Sequence, residues 1–343
     1  MALEKIRIRG FSEPDRDAVE KAVIARVQAD PEIFMRKYLE LPGSLDGRYI
    51  CADLFKETFA EFSASKEARD RYNGPVHNAA AVLSSEAFRR SISDGAHPER
   101  DQAIFLTGIP GAGKTSTILS SGDLPESCRT VFEGQLANPE TAMQKIRQAL
   151  DARLKASIIV VHPRPETALD NTFTRFREHG RGASLSVMSQ IQGDLPSGLR
   201  SIHDMFGEKV ALIIRDVRDR TNPITLHGWR HLDVLESEGD RQTIRKRLED
   251  RLEQHRATGL ISDACYRQAG GRAVGHDGVA GPSGRRDTAD GDRRGLSAGD
   301  RDGPVLNRTE SYWSNVAASG PSEPGSKVDV PGAEKSSGPK FRR

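Results

Sequence analysis

Eight consecutive residues, Gly108, Ile109, Pro110, Gly111, Ala112, Gly113, Lys114 and Thr115, satisfy the phosphate-binding pattern G-x-x-x-x-G-K-[ST] in full. A chain this long matches that pattern by accident roughly once in fifty to a hundred sequences, and the setting lowers those odds. The motif follows the apolar run Ala103 to Thr107 (AIFLT) and leads into a helical pattern from Gly113 to Ser120. In such a strand–loop–helix, backbone N–H groups wrap a β-phosphate while the helix start faces it. Glycines lack the Cβ that would block the loop's torsions and the approach of an anion. Lys114 is expected to bridge β- and γ-phosphates, Thr115 to ligate Mg²⁺, and Ser116 to complete the nucleotide site, with Mg·ATP as the ligand. Ser116 also stands where G-x-G-x-x-G needs its third glycine, which excludes a dinucleotide fingerprint. The absence of an N/T-K-x-D element before residue 272 disfavours a guanine-specific GTPase.

Other segments extend the pattern beyond the loop. Thr130-Val131-Phe132-Glu133-Gly134-Gln135-Leu136 is an apolar strand ending in an acidic turn, and Thr172-Phe173-Thr174-Arg175-Phe176 is a helical run bearing an arginine. Leu212 to Arg220 (LIIRDVRDR) is a strand and turn, and Tyr49 to Glu57 (YICADLFKE) is an apolar strand followed by D-x-F-K. Together these resemble the zeta toxin family, P-loop kinases of bacterial toxin and antitoxin systems that phosphorylate UDP-N-acetylglucosamine. The resemblance covers roughly 48–220. It implies a phosphotransferase with a nucleotide-sugar acceptor and an antitoxin protein as a possible partner. Asp53 takes the role of general base on the acceptor hydroxyl, Glu133 holds the acceptor or acts near Mg²⁺ like a Walker-B carboxylate, Gln135 stands at the acceptor, and Arg175 and Arg181 clamp the phosphates. Two departures stand out. Gln135 replaces the family's threonine, and Leu136-Ala137 replace polar contacts to the acceptor. The aspartate-bearing strand also precedes the P-loop, whereas the family has it between the P-loop helix and the E-G-T strand. Exchanging two adjacent strand–helix units leaves both strand ends on one sheet edge, so Asp53 can still face the γ-phosphate.

Two other readings stay open on the residues alone. Asp53 can be simply an N-cap. The loop can serve an ATPase or nucleotide-switched binding module that has no small-molecule acceptor. His227 and His231 stand four apart in HGWRH, but the glutamate of H-E-x-x-H is missing and no zinc protease is implied.

The elements that must position these residues alternate between types. Strands are expected at Arg48 to Ala52, Ala103 to Thr107, Arg129 to Glu133, Ser157 to His162 and Val210 to Arg215, short and β-branched as in strands covered on both faces. Helices are expected at Val76 to Ile92, Glu140 to Asp151, Glu166 to His179, Ser197 to Phe206, Asp240 to His255 and Ser262 to Gln268. Upstream, Pro14 to Gln28 opens with Ser12 as N-cap, and a second helix starts at Pro31. The alternation predicts an α/β fold, a P-loop kinase-like sandwich around a parallel sheet. An N-terminal helical segment spans 1–45, the kinase-like domain with its closing helices 46–271, and a disordered tail rich in Gly, Ser, Pro and charge 272–343.

Composition bounds the partners. Of the 343 residues, 51 are Lys or Arg and 49 Asp or Glu, for a net charge of +2, so there is no global pull towards nucleic acid or an anionic membrane. Three scattered cysteines suggest neither a disulfide framework nor a zinc site. With no apolar run near ~20 residues and no signal-peptide pattern, a cytoplasmic protein is expected.

Overall fold

All five apolar runs form strands in the computed structural model, which describes residues 3–119 and 124–271. These strands, β1 (Tyr49–Cys51), β2 (Gln102–Thr107), β3 (Cys128–Glu133), β4 (Lys155–His162) and β5 (Val210–Asp216), lie parallel in the spatial order β1-β3-β2-β4-β5. A sixth strand that the sequence did not announce, β6 (Ile224–His227), pairs antiparallel with β5. None of its four residues is fully buried, so it carries no apolar signal. His227 ends this strand while His231 lies in a following 3-10 segment, so the two share no helix face.

Both faces of the sheet are covered, as the near-continuous apolar strands require. In β2, Ala103 and Phe105 enter one core while Ile104 and Leu106 enter the other. The first core takes α6 (His77–Ser93), α8 (Pro139–Asp151) and the second half of α10 (Leu185–Phe206). The second takes α9 (Pro165–His179), the first half of α10, α11 (Arg241–Ala257) and α12 (Asp263–Ala269). Short helices α3 (Ala52–Phe55), α4 (Ala60–Ser63) and α5 (Lys66–Tyr72) bridge β1 to α6, and α7 (Lys114–Leu119) follows the glycine-rich loop. The amino-terminal helices α1 (Pro14–Ala29) and α2 (Pro31–Leu39) send Val23, Val27, Phe34 and Tyr38 into the first core beside Ile50.

The exposed margin of β1 is closed by one side chain of α2. The buried Tyr38 hydroxyl donates to Tyr49 O (2.7 Å) and accepts from Cys51 N (3.1 Å). Its ring stacks on Phe55 at 3.7 Å between centroids. An edge strand with unpaired backbone groups is thereby satisfied without a further strand.

Two local expectations are corrected. Ser12 does not cap α1: Glu13 holds the N-cap position because Pro14 is already the first helical residue, and the Ser12 hydroxyl donates to the Glu13 carboxylate. The helix expected from Ser197 begins at Leu185, where Ser184 accepts a hydrogen bond from Val187 N. Gly193 and Pro196 read as breakers, yet burial of Leu195, Leu199 and Ile202 holds the helix through them. All three cysteines are buried and free. No helix among the described residues is long and apolar enough to cross a membrane. The segment 272–343, read as a disordered tail, lies outside the described residues, as does Ser120.

Candidate functional site

Register brings three strand ends level. Glu133 pairs with Cys51 of β1 on one side and with Leu106 of β2 on the other. Asp53 beyond β1, the glycine-rich loop beyond β2 and the turn Gly134-Gln135 beyond β3 therefore emerge on one edge. A cavity of about 1410 Å³ opens there, and Asp53, Lys114, Thr115, Glu133, Arg175 and Arg181 all line it. So do Gln135, Ser116 and the rest of the loop apart from Ile109, whose side chain is buried beneath it.

The loop turns through positive φ at Gly108 (140°), Gly111 (79°) and Gly113 (87°). At Gly111 a Cβ would also collide with the Ala168 carbonyl, so the loop lies directly against α9. From the same helix, Asn171 Nδ2 donates to Gly111 O at 2.7 Å. Lys114 Nζ donates to the carbonyls of Gly108 (2.7 Å) and Ile109 (3.0 Å) and lies 3.6 Å from a Glu133 oxygen.

Asp53 sits in the first turn of α3, whose N-cap is Cys51, with no side-chain cap bond, so its carboxylate is not spent on helix capping. Instead it accepts from Lys56 Nζ at 2.7 Å, and Lys56, almost fully buried, also donates to Asn73 Oδ1. Arg181 stands between Asp53 (3.7 Å) and Glu57 (3.6 Å). Desolvation at the cavity wall would raise the half-exposed Asp53 carboxyl, but the charges of Lys56, Arg181 and Arg175 outweigh it. They hold Asp53 well below the usual carboxylate range. An aspartate flanked by three cations and open to a cavity is a place where negative charge can exchange partners.

The buried hydroxyl of Tyr49 donates to the Glu133 carboxylate and also hydrogen-bonds the Thr115 hydroxyl. Two hard oxygen donors thus stand side by side next to the loop. Among the described residues no group of three or more His, Cys, Asp or Glu gathers for a metal. Mg²⁺ needs none, because it keeps water and phosphate oxygens as ligands. Thr115 and Glu133 are the residues here that could hold such an ion.

Sequence reading did not single out Asn171 or Lys145 and named Tyr49 and Lys56 only as members of the strand and D-x-F-K motif without a role, yet all four line or support the cavity. Lys56 carried a signal, three residues after Asp53 on one helical face. Tyr49 carried none, since an apolar strand hides a functional hydroxyl. Neither a known family model nor a curated protein matches the chain.

Proposed function

We propose that this chain is an ATP-dependent phosphotransferase of the zeta toxin type, with a P-loop kinase-like core and a nucleotide-sugar hydroxyl as acceptor. The observation that carries the reading is the single cavity in which Asp53, the Gly108–Thr115 loop and Glu133 meet at adjacent strand ends. The spatial order supports it as well. β1 pairs with β3 rather than with β2, the next strand in the chain, so moving the β1–α6 unit to follow α7 would alter the connections and leave the sheet unchanged. That is the sequence position at which the resemblance expects an aspartate-bearing strand.

On this reading the loop amides and Lys114 hold the β- and γ-phosphates. Mg²⁺ between Thr115 and Glu133 would neutralise charge on the phosphate oxygens. The acceptor hydroxyl oxygen forms a bond to the γ-phosphorus as the bond to the β–γ bridging oxygen breaks, ADP leaves, and Asp53 takes the hydroxyl proton. Arg175 and Arg181 meet the negative charge spread over the transferring oxygens. Gln135, exposed at the rim, faces the acceptor. An antitoxin protein remains the partner that this reading implies.

The Lys56–Asp53 ion pair favours a second reading, an ATPase or nucleotide-switched module in which Asp53 anchors Lys56 and deprotonates nothing. Acceptor-stimulated ATP turnover over a panel of sugars and nucleotide sugars separates the two. Stimulation by a hydroxyl-bearing acceptor, abolished with nucleotide binding in Lys114→Ala, is expected. Turnover indifferent to every acceptor would sink the phosphotransferase, and undiminished nucleotide affinity in Lys114→Ala would sink the loop assignment.

A further inference from the structure

The crest of the glycine-rich loop, Gly111, rests directly on α9. A Cβ there would lie 2.1 Å from the Ala168 carbonyl oxygen and 3.1 Å from Thr172 Cγ2, so only glycine lets the two backbones approach this closely. Where they meet, Asn171 Nδ2 donates to Gly111 O at 2.7 Å. Ala112 N, the other polar group of the same peptide unit, donates to Ile109 O at 3.1 Å. That unit is therefore tied at both ends, and a single side chain holds its carbonyl towards the helix. The helix is itself a fixed support. Ala168, Leu169, Thr172 and Phe173 are buried. Arg251 of α11 donates twice to Asp170 (3.0 and 2.6 Å), His255 Nε2 stands 2.8 Å from the same carboxylate, and Arg247 donates twice to Glu166 (2.6 and 2.9 Å). Asn171 lines the cavity instead, with Thr174 and Arg175 beside it at helical spacings of three and four.

We propose that Asn171 is a positioning residue: by pinning the Gly111 carbonyl to α9 it holds the loop in its anion-cradling shape before a nucleotide arrives, and in register with Arg175. The proposal deepens the phosphotransferase reading and rests on it for the role of Arg175; the tie between loop and helix stands on the geometry. A loose glycine loop must be ordered before its amides converge on a phosphate, and that ordering opposes binding. A loop held beforehand escapes the cost. A carbonyl released to turn inward would also present its negative end to the anion. Because Arg175 follows Asn171 by one turn of the same helix, one hydrogen bond also fixes how far the loop-held phosphate lies from that guanidinium.

Asn171→Leu tests this, since leucine nearly matches asparagine in shape and has no amide to donate. Hydrogen–deuterium exchange is measured first in the full chain without nucleotide. Amides of the Gly108–Thr115 loop should exchange about three- to ten-fold faster in the variant, the range set by one neutral hydrogen bond, while β2, β4 and α9 exchange as in wild type. An unchanged loop overturns the proposal, and so does acceleration spread through the sheet, which would make Asn171 a support of the fold as a whole. Asn171→Ala, which removes the amide without adding apolar bulk, should repeat the pattern; a wild-type loop in that variant would trace the effect to bulk and overturn the proposal too. Affinity for Mg·ADP and for a non-hydrolysable Mg·ATP analogue should weaken together by a similar factor, because the loop holds the β-phosphate common to both. Turnover at saturating ATP and acceptor should fall about three-fold or more, and Asn171→Leu made in an Arg175→Ala background should cost turnover nothing further. An undiminished kcat, or an equal loss in both backgrounds, overturns the register with Arg175. If wild type binds no nucleotide, the functional reading falls instead, and the exchange comparison still decides for or against Asn171.

Discussion

At the residue scale the outcome turns on Asp53, because two roles compete for one carboxylate. Lys56 at 2.7 Å and Arg181 at 3.7 Å make it a poor proton acceptor as it stands. A loose phosphoryl-transfer transition state asks little of a base, however, and incoming phosphate draws the same cations away from it. If Asp53 is the base, Asp53→Asn keeps nucleotide affinity while transfer falls by roughly 10² to 10⁴. Activity near wild type in that variant would assign the residue to anchoring Lys56. Lys56→Met gives an independent reading. Removing the nearest positive charge lets the Asp53 pKa climb towards the ordinary carboxylate range, so the acidic limb of the kcat/KM profile should move to higher pH. An acidic limb that stays put would detach Asp53 from the rate. Sequence made Asp53, Glu133 and Lys114 legible because each ends an apolar run or completes a spaced motif. Lys145 was illegible, since a lysine on an amphipathic helix reads as a solvated face until its place beside the Phe88 and Phe132 rings is known.

At the element scale, β1 is three residues long and leads directly into the α3 turn that bears Asp53, yet it lies at the sheet margin where a short strand frays most easily. Its outer side depends on the Tyr38 hydroxyl, which satisfies one carbonyl and one amide in the buried interior. Tyr38→Phe removes that oxygen and leaves both groups without a partner, at about 1–3 kcal/mol for each. The urea midpoint should fall by an amount equivalent to about 2–4 kcal/mol, and transfer should drop more than nucleotide affinity, because β1 positions Asp53 and not the loop. A midpoint equal to wild type would mean that α2 is not what holds this edge. The five parallel strands could be read from sequence because burial on both faces forces continuous apolar runs. The edge closure could not, since it hangs on one hydroxyl of a residue that reads as core, and α10 was cut short because Gly193 and Pro196 look like breakers when tertiary burial is out of sight.

At the scale of the whole molecule, sequence gave the alternation of strands and helices, while the spatial order of the strands needed the pairing of β1 with β3. That order also assembles, at the ends of β4 and β5, a charge cluster that no local pattern announced. Arg218 pairs with Asp216 (2.7 Å) and reaches Glu238 (3.6 Å), and Arg247 links Glu238 (2.8 Å) to Glu166 of α9 (2.6 Å). His162 is buried in their midst, and its Nε2 has no hydrogen-bond partner among the described residues. Burial first and the Arg218 charge second push its pKa down to about 4, against the opposing pull of Asp216 and Glu238. A histidine at 6.5 in the unfolded chain and about 4 in the fold is protonated only when unfolded over that window, so the unfolded state binds the extra proton. Stability contributed by neutral His162 is therefore whole above pH 6.5 and is lost as pH falls towards 4, by about 3 kcal/mol at most. The exposed His77 ring is also lowered, by desolvation against the cavity wall and then by the Lys56 charge, which adds to the loss in the same direction. His162→Gln keeps a polar side chain that does not titrate. Urea midpoints measured at pH 7, 6 and 5 should fall less steeply for this variant than for wild type, with part of the slope remaining from His77. Parallel slopes for the two chains would mean that His162 is protonated in the fold at these pH values, and that the carboxylates around it outweigh both its burial and Arg218.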